Sequence, residues 1–109
     1  MPTFQDFEEL DIRVGTIRKA VEHPTARKPS YQMWIDFGEL GTRTSSAQLT
    51  ERYALETLVN RQVVAVTNFP PRRVADFTSE VLVLGVMVSD QDVVLLGPDA
   101  PVPNGARIG

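Results

Sequence analysis

Hydrophobic residues are densest in two runs in the second half of the chain, Gln62–Phe69 and Glu80–Val88. Each run has the length and the β-branched content of a strand, and neither contains a proline. Residues 63–66 and 81–84 leave no polar face, so the pattern predicts strands that are buried on both sides. The loop between the two runs is then expected at the rim of a closed or nearly closed sheet.

The N-terminal part combines helical and strand periodicity. Phe4, Phe7 and Leu10 share one face of a short helix over residues 3–10, and this apolar stripe is expected either to plug a barrel end or to bind a second subunit. Residues 11–21 alternate as a long strand. The glycine within that strand, Gly15, predicts a bulge or a sharp bend.

Shorter segments complete the pattern. Met33, Ile35 and Phe37 mark a second strand, residues 42–49 a third, residues 50–60 a short helix or 3₁₀ turn, and residues 93–96 another strand. This order predicts an all-β protein, a five-stranded OB-fold barrel with a short helix between strands 3 and 4. We expect one domain over residues 1–109, with a helical N-terminal extension (1–10) and a turn-rich C-terminal extension (97–109). An SH3-like barrel or a β-sandwich is the competing architecture.

Composition excludes several classes of protein. The 109 residues, 42% of them hydrophobic and 23% charged, are typical of an ordinary globular domain. No apolar run is long enough to span a membrane and the N-terminus is acidic, so we expect a cytoplasmic protein without membrane insertion. The absence of cysteine excludes disulfides and thiolate chemistry and fits a reducing compartment.

The charge distribution predicts only modest affinity for RNA. The net charge is −3, but four acidic residues crowd positions 6–11, and without them 11 basic residues face 10 acidic ones. Basic residues also occur in adjacent pairs, which predict local patches: Arg18–Lys19, Arg27–Lys28 and Arg72–Arg73.

Catalytic and cofactor motifs are missing from the sequence. His23 is the sole histidine, so neither a metal site nor a serine triad has the residues it needs. There is also no glycine-rich phosphate loop. We expect a protein that is not an enzyme and that uses no nucleotide, metal or other cofactor.

Two stretches carry candidate binding chemistry. In the segment Asn68–Arg73, paired prolines stiffen a loop whose adjacent guanidinium groups suit phosphate, carboxylate or aromatic partners. The equally weighted alternative is a solubilising turn in which the arginines pair with Asp76 and Glu80. Ser45–Gln48 places small polar groups on the usual ligand face of an OB barrel, where Trp34 and Tyr31 could stack on a ligand. A core or interface position is the commoner role for such a tryptophan.

Motifs along nearly the whole chain resemble those of a known family. Leu10–Gly15, followed by His23–Pro24 and Ala26, resembles the opening of the tRNA-binding domains related to C-terminal modules of some aminoacyl-tRNA synthetases. Four further segments narrow the resemblance to the CsaA family of bacterial export-related chaperones: Ser45–Gln48, Asn68–Arg73, Ser79–Gly85 and Val102–Gly105.

The resemblance implies an OB-fold homodimer that binds unfolded or pre-secretory polypeptides and assists their export. Binding of tRNA or another structured RNA is the alternative, at positions matching Asn68, Arg72, Arg73 and Ser79. Glu80 places an acidic group beside that phosphate site, which favours a peptide ligand. The candidate peptide- or RNA-binding residues are Arg27, Lys28, Trp34, Ser46, Gln48, Asn68, Arg72, Arg73 and Ser79.

Overall fold

The computed structural model describes residues 1–109 and is mostly β-structure. Two short α-helices and one 3₁₀ turn (Gly38–Leu40) accompany nine strands. The elements are α1 (Phe4–Glu8), β1 (Ile12–Glu22), β2 (Tyr31–Asp36), β3 (Thr42–Ala47), α2 (Leu55–Leu58), β4 (Gln62–Val66), β5 (Arg72–Val74), β6 (Phe77–Ser79), β7 (Leu82–Val83), β8 (Gly85–Met87) and β9 (Val93–Leu95).

Five antiparallel strands form the barrel in the order β3-β2-β1-β4-β7. The barrel nearly closes where the Thr44 carbonyl of β3 accepts hydrogen bonds from the Glu80 and Val81 amides, at 2.8 and 3.1 Å. With α2 between β3 and β4, this topology confirms the predicted OB-type barrel. Two small hairpins, β5-β6 and β8-β9, extend from it.

Hydrophobic residues fill the barrel and also cover its outside at one end. The larger cluster contains Ile17, Met33, Ile35 and Phe37, each completely buried, and the burial of Met33, Ile35 and Phe37 follows the alternation that the sequence shows. A second cluster packs on the other face of the sheet. Because the residues of β4 alternate between these clusters, the strand is buried on both sides, as predicted: Val63 and Ala65 belong to the larger cluster, Val64 and Val66 to the smaller one.

Gly15 allows close packing rather than forming a bulge. A Cβ atom at this position would lie 2.7 Å from Ile35 Cγ2 and 2.8 Å from two ring carbons of Phe37. The register shift in β1 lies between Ile17 and Lys19 instead. The bulge predicted at Gly15 is therefore not there, whereas the alternative of a sharp bend at Gly15 stays a prediction.

The N-terminal helix does not plug the barrel. Thr3 and Asp6 form a reciprocal capping box, and no residue of α1 is buried. Phe4 and Phe7 remain 75% and 38% exposed. The plug interpretation was wrong. Neither helix of the chain has the length and apolar composition needed to cross a membrane.

A polar network fastens the start of β1. Burial raises the pKa of Asp11, but the hydrogen bonds from Thr67 and Arg13 and the nearby charges of Arg13 and Arg107 outweigh that effect and hold it below its ordinary value of 3.8. The Arg13 Nε–Asp11 Oδ1 distance is 2.9 Å. The carboxylate thus connects β1, the end of β4 and the C-terminal segment.

The second hydrophobic run differs from the prediction. It divides into β7 and β8, and Leu82 is 43% exposed although a strand buried on both sides was expected. Arg72 and Arg73 lie on β5 rather than in a loop, because β5 and β6 form a hairpin.

The C-terminal segment 97–109 packs along β1. Val14 and Ile12 exchange backbone hydrogen bonds with residues 105–108, beside the half of β1 that β2 leaves unpaired. Val102 and Ile108 pack against the smaller cluster.

Candidate functional site

A groove opens between β3 and the segment formed by β7, β8 and β9. Its volume is about 430 Å³. Ser46 and Gln48 line it from the β3 side, and Arg72 lines it from the β5-β6 hairpin. The opposite side is mainly apolar and includes Leu82–Gly85, Met87, Val93 and Leu95.

A smaller cavity of about 170 Å³ adjoins the groove. It shares Ser46, Arg72 and Leu82 with the groove and adds Phe69 and Pro70. Arg72 therefore borders both spaces. Apolar surface around a single guanidinium group is suited to a ligand that is partly apolar and carries an anionic or carbonyl group.

A larger hollow of about 780 Å³ lies elsewhere and is a weaker candidate. Its lining, Glu51, Arg52 and Ser89–Asp92, contains no hydrophobic residue. Arg52 and Asp92 form a bidentate ion pair at 2.7 and 2.8 Å, and this hydrogen bonding lowers the pKa of Asp92. The one cation of this hollow is thus paired with Asp92, and because the hollow has no apolar lining we place the candidate site at the groove.

The two adjacent arginines have different surroundings. Arg73 is held inside its hairpin by the Ala75 carbonyl and the Thr78 hydroxyl, at 3.1 and 3.2 Å. Arg72 is exposed, and its side chain makes no hydrogen bond or ion pair within the chain. Its charge is therefore available to a ligand.

The expected alternative partners of the arginines are engaged elsewhere. Asp76 accepts a 2.6 Å hydrogen bond from Thr25, which is the main reason that its pKa is lowered. Glu80 accepts hydrogen bonds from the Thr44 amide and hydroxyl, at 3.1 and 2.9 Å. Asp76 and Glu80 do not pair with the arginines, and the solubilising-turn interpretation was wrong.

Ser46 and Ser79 form hydrogen bonds inside the protein, next to the groove. The Ser46 amide donates to the Ser79 hydroxyl at 3.0 Å, and Ser79 is buried. The Ser46 hydroxyl lies 3.0 Å from Nδ1 of His23, whose side chain is completely buried and whose Nε2 has no hydrogen-bond partner. The structure thus gives both hydroxyls partners inside the protein, although Ser46 and Ser79 were predicted to contact the ligand.

The aromatic residues proposed for stacking lie outside the groove. Trp34 is half-buried, its ring 5.6 Å from that of Phe77 and 4.7 Å from the Lys19 ammonium. Tyr31 belongs to the core and donates to the Tyr53 carbonyl. Prediction of Tyr31 as a stacking residue was wrong, and Trp34 packs under the hairpin.

Three other predicted residues also lie away from the groove. Asn68 uses both ends of its amide on the N-terminal segment, accepting from the Asp11 amide at 2.9 Å and donating to the Glu9 carbonyl at 2.8 Å. Arg27 and Lys28 are exposed in the β1–β2 loop and line neither cavity. Of the nine candidates, the groove and its adjoining cavity bring together Ser46, Gln48, Arg72 and Ser79.

The apolar side of the groove was missed by sequence reasoning. Leu82, Val83 and Met87 were assigned to a buried strand, yet they line the groove. Gly85 within that run was the available signal, because a glycine in a strand often marks a break. No cluster of three or more His, Asp or Glu side chains is arranged to hold a metal ion.

Comparisons with known proteins show similarity to tRNA-binding domains. The model of the family described as "putative tRNA binding domain" matches residues 12–107. The methionine–tRNA ligase of Porphyromonas gingivalis is 37% identical over 105 residues, which are 96% of this chain and 15% of that enzyme. The chain thus spans about a seventh of that relative's length, and the similarity concerns a tRNA-binding domain rather than a catalytic one.

Solved structures give a closer match over the full length. The crystal structure of chaperone CsaA from Bacillus anthracis has a TM-score of 0.96 and 54% identity, covering 100% of this chain and 99% of that one. The CsaA chaperone of Picrophilus torridus has a TM-score of 0.91 and 44% identity, with both chains fully covered. The chain therefore belongs to the tRNA-binding-domain family and to the CsaA family of proteins.

Proposed function

We propose that this protein is an ATP-independent chaperone that binds unfolded or pre-secretory polypeptides in the cytoplasm and assists their export. The observation that carries the proposal is the groove, which combines an apolar side with the unpaired charge of Arg72. The likeness to CsaA chaperones supports a polypeptide ligand. Apolar burial supplies the driving force, so neither nucleotide nor catalysis is required.

Binding divides between the two sides of the groove. Leu82, Val83 and Met87 contact apolar side chains of the polypeptide, which unfolding exposes. Arg72 and Gln48 hold carbonyl or acidic groups on the other side. Because most of the groove's contacts are apolar, it accepts an unfolded segment without selecting one sequence.

The proposal includes a homodimer. Val86, Met87 and Val88 are 51%, 73% and 59% exposed, and Leu82 and Leu96 beside them are 43% and 40% exposed. Such a concentration of apolar surface is unusual on a monomer and supports a contact with a second copy of the chain. Because Leu82 and Met87 also line the groove, the seam borders the binding site.

The dimer is tested by Met87→Asp, which places a charge in the exposed patch. Sedimentation at micromolar concentration should show a dimer for the unchanged protein and a monomer for the variant. Thr78→Asp, at an exposed position on the β5-β6 hairpin, is the control and should leave the dimer intact. An unchanged protein that sediments as a monomer contradicts the dimer.

Chaperone activity is tested by the aggregation of a chemically denatured substrate protein, followed by light scattering without ATP. Stoichiometric protein should suppress aggregation, and Arg72→Ala should weaken binding of an acidic unfolded segment by roughly tenfold. Arg18→Ala removes an equal charge from an exposed side chain that borders neither cavity and should have little effect. Full aggregation in the presence of the unchanged protein would rule out the proposal.

Binding of tRNA is the second candidate. It is favoured by the match to the tRNA-binding domain and by the lack of carboxylate partners for Arg72 and Arg73. This function predicts tRNA affinity that falls steeply with salt and is lost in the Arg72→Ala/Arg73→Ala double variant. Peptide affinity that exceeds tRNA affinity at physiological salt favours the chaperone.

A further inference from the structure

The two edge strands of the barrel separate beside the groove. All neighbouring strands in the order β3-β2-β1-β4-β7 are antiparallel, so β3 and β7 run in the same direction. They join at the Thr44 carbonyl, which accepts from the Glu80 and Val81 amides. Past that point no backbone hydrogen bond connects them, and the groove occupies the opening.

The edge of β3 that faces this opening has unpaired backbone groups. Thr44 and Ser46 both direct their amides away from β2, since the Thr44 amide donates to Glu80 and the Ser46 amide to Ser79. By the two-residue period of the strand, the Ser46 carbonyl points the same way, and the Gln48 amide lies one residue beyond the end of β3. Neither has a hydrogen-bond partner in the chain.

We propose that the groove binds an extended polypeptide as an added strand on the β3 edge, hydrogen-bonded to the Ser46 carbonyl and the Gln48 amide. This inference rests on the proposed chaperone function and specifies how the groove holds its ligand. Backbone hydrogen bonds are common to all sequences, so strand addition provides affinity with little selectivity. Alternate side chains of the added strand then meet the apolar side of the groove.

The charges that line the groove indicate which residues the bound polypeptide should carry. Arg72, on one side of the groove, has no carboxylate partner, and Asp90 also lines it, without an ion-pair partner. An extended segment with an acidic residue placed against Arg72 and a basic residue placed against Asp90 fits both. RNA offers no amide donor in strand register and would place phosphates beside Asp90, so the groove favours a peptide.

The β3 edge is a better template than the β7 edge. β3 is six residues long, whereas β7 has two residues and leads directly into the β8-β9 hairpin. The outer edge of β3 offers the Ser46 carbonyl beside the Gln48 amide, whereas the Thr44 groups and the Ser46 amide are already bonded. The proposal therefore assigns the hydrogen bonds to β3 and the apolar contacts to the β7–β9 side.

Amide hydrogen exchange, measured by NMR on the full chain, tests the proposal directly. The probe is a synthetic peptide of about seven residues with alternating valine and threonine, one glutamate and one lysine. Saturating peptide should slow exchange of the Gln48 amide by at least roughly tenfold. The exposed amide of Asp99, outside the groove, should be unchanged. Binding that leaves Gln48 exchange unaltered, or protects only Val83, overturns the proposal.

A second measurement uses the peptide rather than a protein variant, so folding of the protein is not at risk. Each backbone nitrogen of the peptide is methylated in turn, and affinity is measured by fluorescence anisotropy. Because the Ser46 carbonyl is the acceptor that β3 offers to the peptide, methylation should weaken binding by roughly tenfold at the one position that donates to it and have little effect elsewhere. Uniform effects, with binding retained, overturn strand addition but not the chaperone function. No binding by any peptide, together with unsuppressed aggregation, overturns both.

Discussion

Ser46→Ala separates the structural role of Ser46 from its proposed contact with a ligand. The variant removes the hydroxyl that lies 3.0 Å from Nδ1 of His23. It keeps the Ser46 amide, which donates to Ser79, and the carbonyl at the groove. The two roles therefore predict opposite results: loss of stability if the hydroxyl serves His23, and loss of affinity if it serves a ligand.

The size of the effect follows from the burial of His23. Its side chain has no exposed surface, and Nε2 already has no hydrogen-bond partner. Removing the Ser46 hydroxyl leaves a buried imidazole with neither nitrogen bonded, which costs about 1–3 kcal/mol. For a domain of this size the Tm should fall by roughly 4–13 °C.

Urea unfolding, followed through the fluorescence of the single tryptophan, Trp34, measures the stability. Ser89→Ala is the matched control, because Ser89 is exposed and its hydroxyl makes no hydrogen bond. It should change the free energy of unfolding by less than about 0.5 kcal/mol. Peptide affinity of Ser46→Ala should equal that of the unchanged protein. Unaltered stability combined with a large loss of affinity would refute the structural assignment.

The remaining predictions concern the barrel itself. Gly15→Ala should lower the free energy of unfolding by about 1–3 kcal/mol, because its Cβ would lie 2.7 Å from Ile35 Cγ2; urea unfolding that matches the unchanged protein contradicts the packing. The folded-state pKa of Asp11 lies below 3.8, so its stabilisation is complete above the unfolded pKa and is lost as the pH falls through the folded one. Urea unfolding as a function of pH should show Asp11→Asn less stable at neutral pH, with the difference vanishing in strong acid; a constant difference contradicts this. Asn68→Ala should release the N-terminal segment and speed its proteolysis before Asp11, whereas an unchanged rate argues against the tether.

The barrel could be predicted because its signals are local. The alternation of Met33, Ile35 and Phe37 with polar neighbours matches their complete burial, and the unbroken apolar segment of β4 matches a strand between two clusters. In both cases one strand's own residues determine which of its faces is buried. These buried faces can therefore be predicted without knowing any contact between residues distant in sequence.

The β5-β6 hairpin had no such signal. Its strands have three residues each, too few to show a period, and its turn places Ala75 at a φ of +55°. Turns with positive φ normally contain glycine or asparagine, so alanine gave no indication of a reversal. The arginines were accordingly assigned to a loop, although the pairing of Arg72 with Ser79 places them on a strand.

The predicted roles of individual site residues were wrong for a different reason: their hydrogen-bond partners are distant in sequence. Asn68 was read as a ligand contact, yet it bonds to Glu9 and Asp11, nearly 60 positions earlier. Ser79 likewise meets Ser46 across 33 positions. A polar side chain in a sequence does not reveal whether its hydrogen bonds are made within the fold, and that decides which residues remain available to a ligand.

The number of charged side chains that are free to bind a ligand also distinguishes a peptide from RNA. Of the four charged side chains of the β5-β6 hairpin and the turn that follows it, Arg73, Asp76 and Glu80 have partners within the fold, which leaves Arg72 as the free cation at the groove. Tight RNA binding requires several phosphates to be neutralised at once, because the affinity comes from the counterions that they release. A peptide requires one cation at most, since apolar burial and backbone hydrogen bonds supply the rest. A groove with one free guanidinium group and a long apolar side is therefore suited to an unfolded polypeptide, even on a barrel that belongs to a tRNA-binding family.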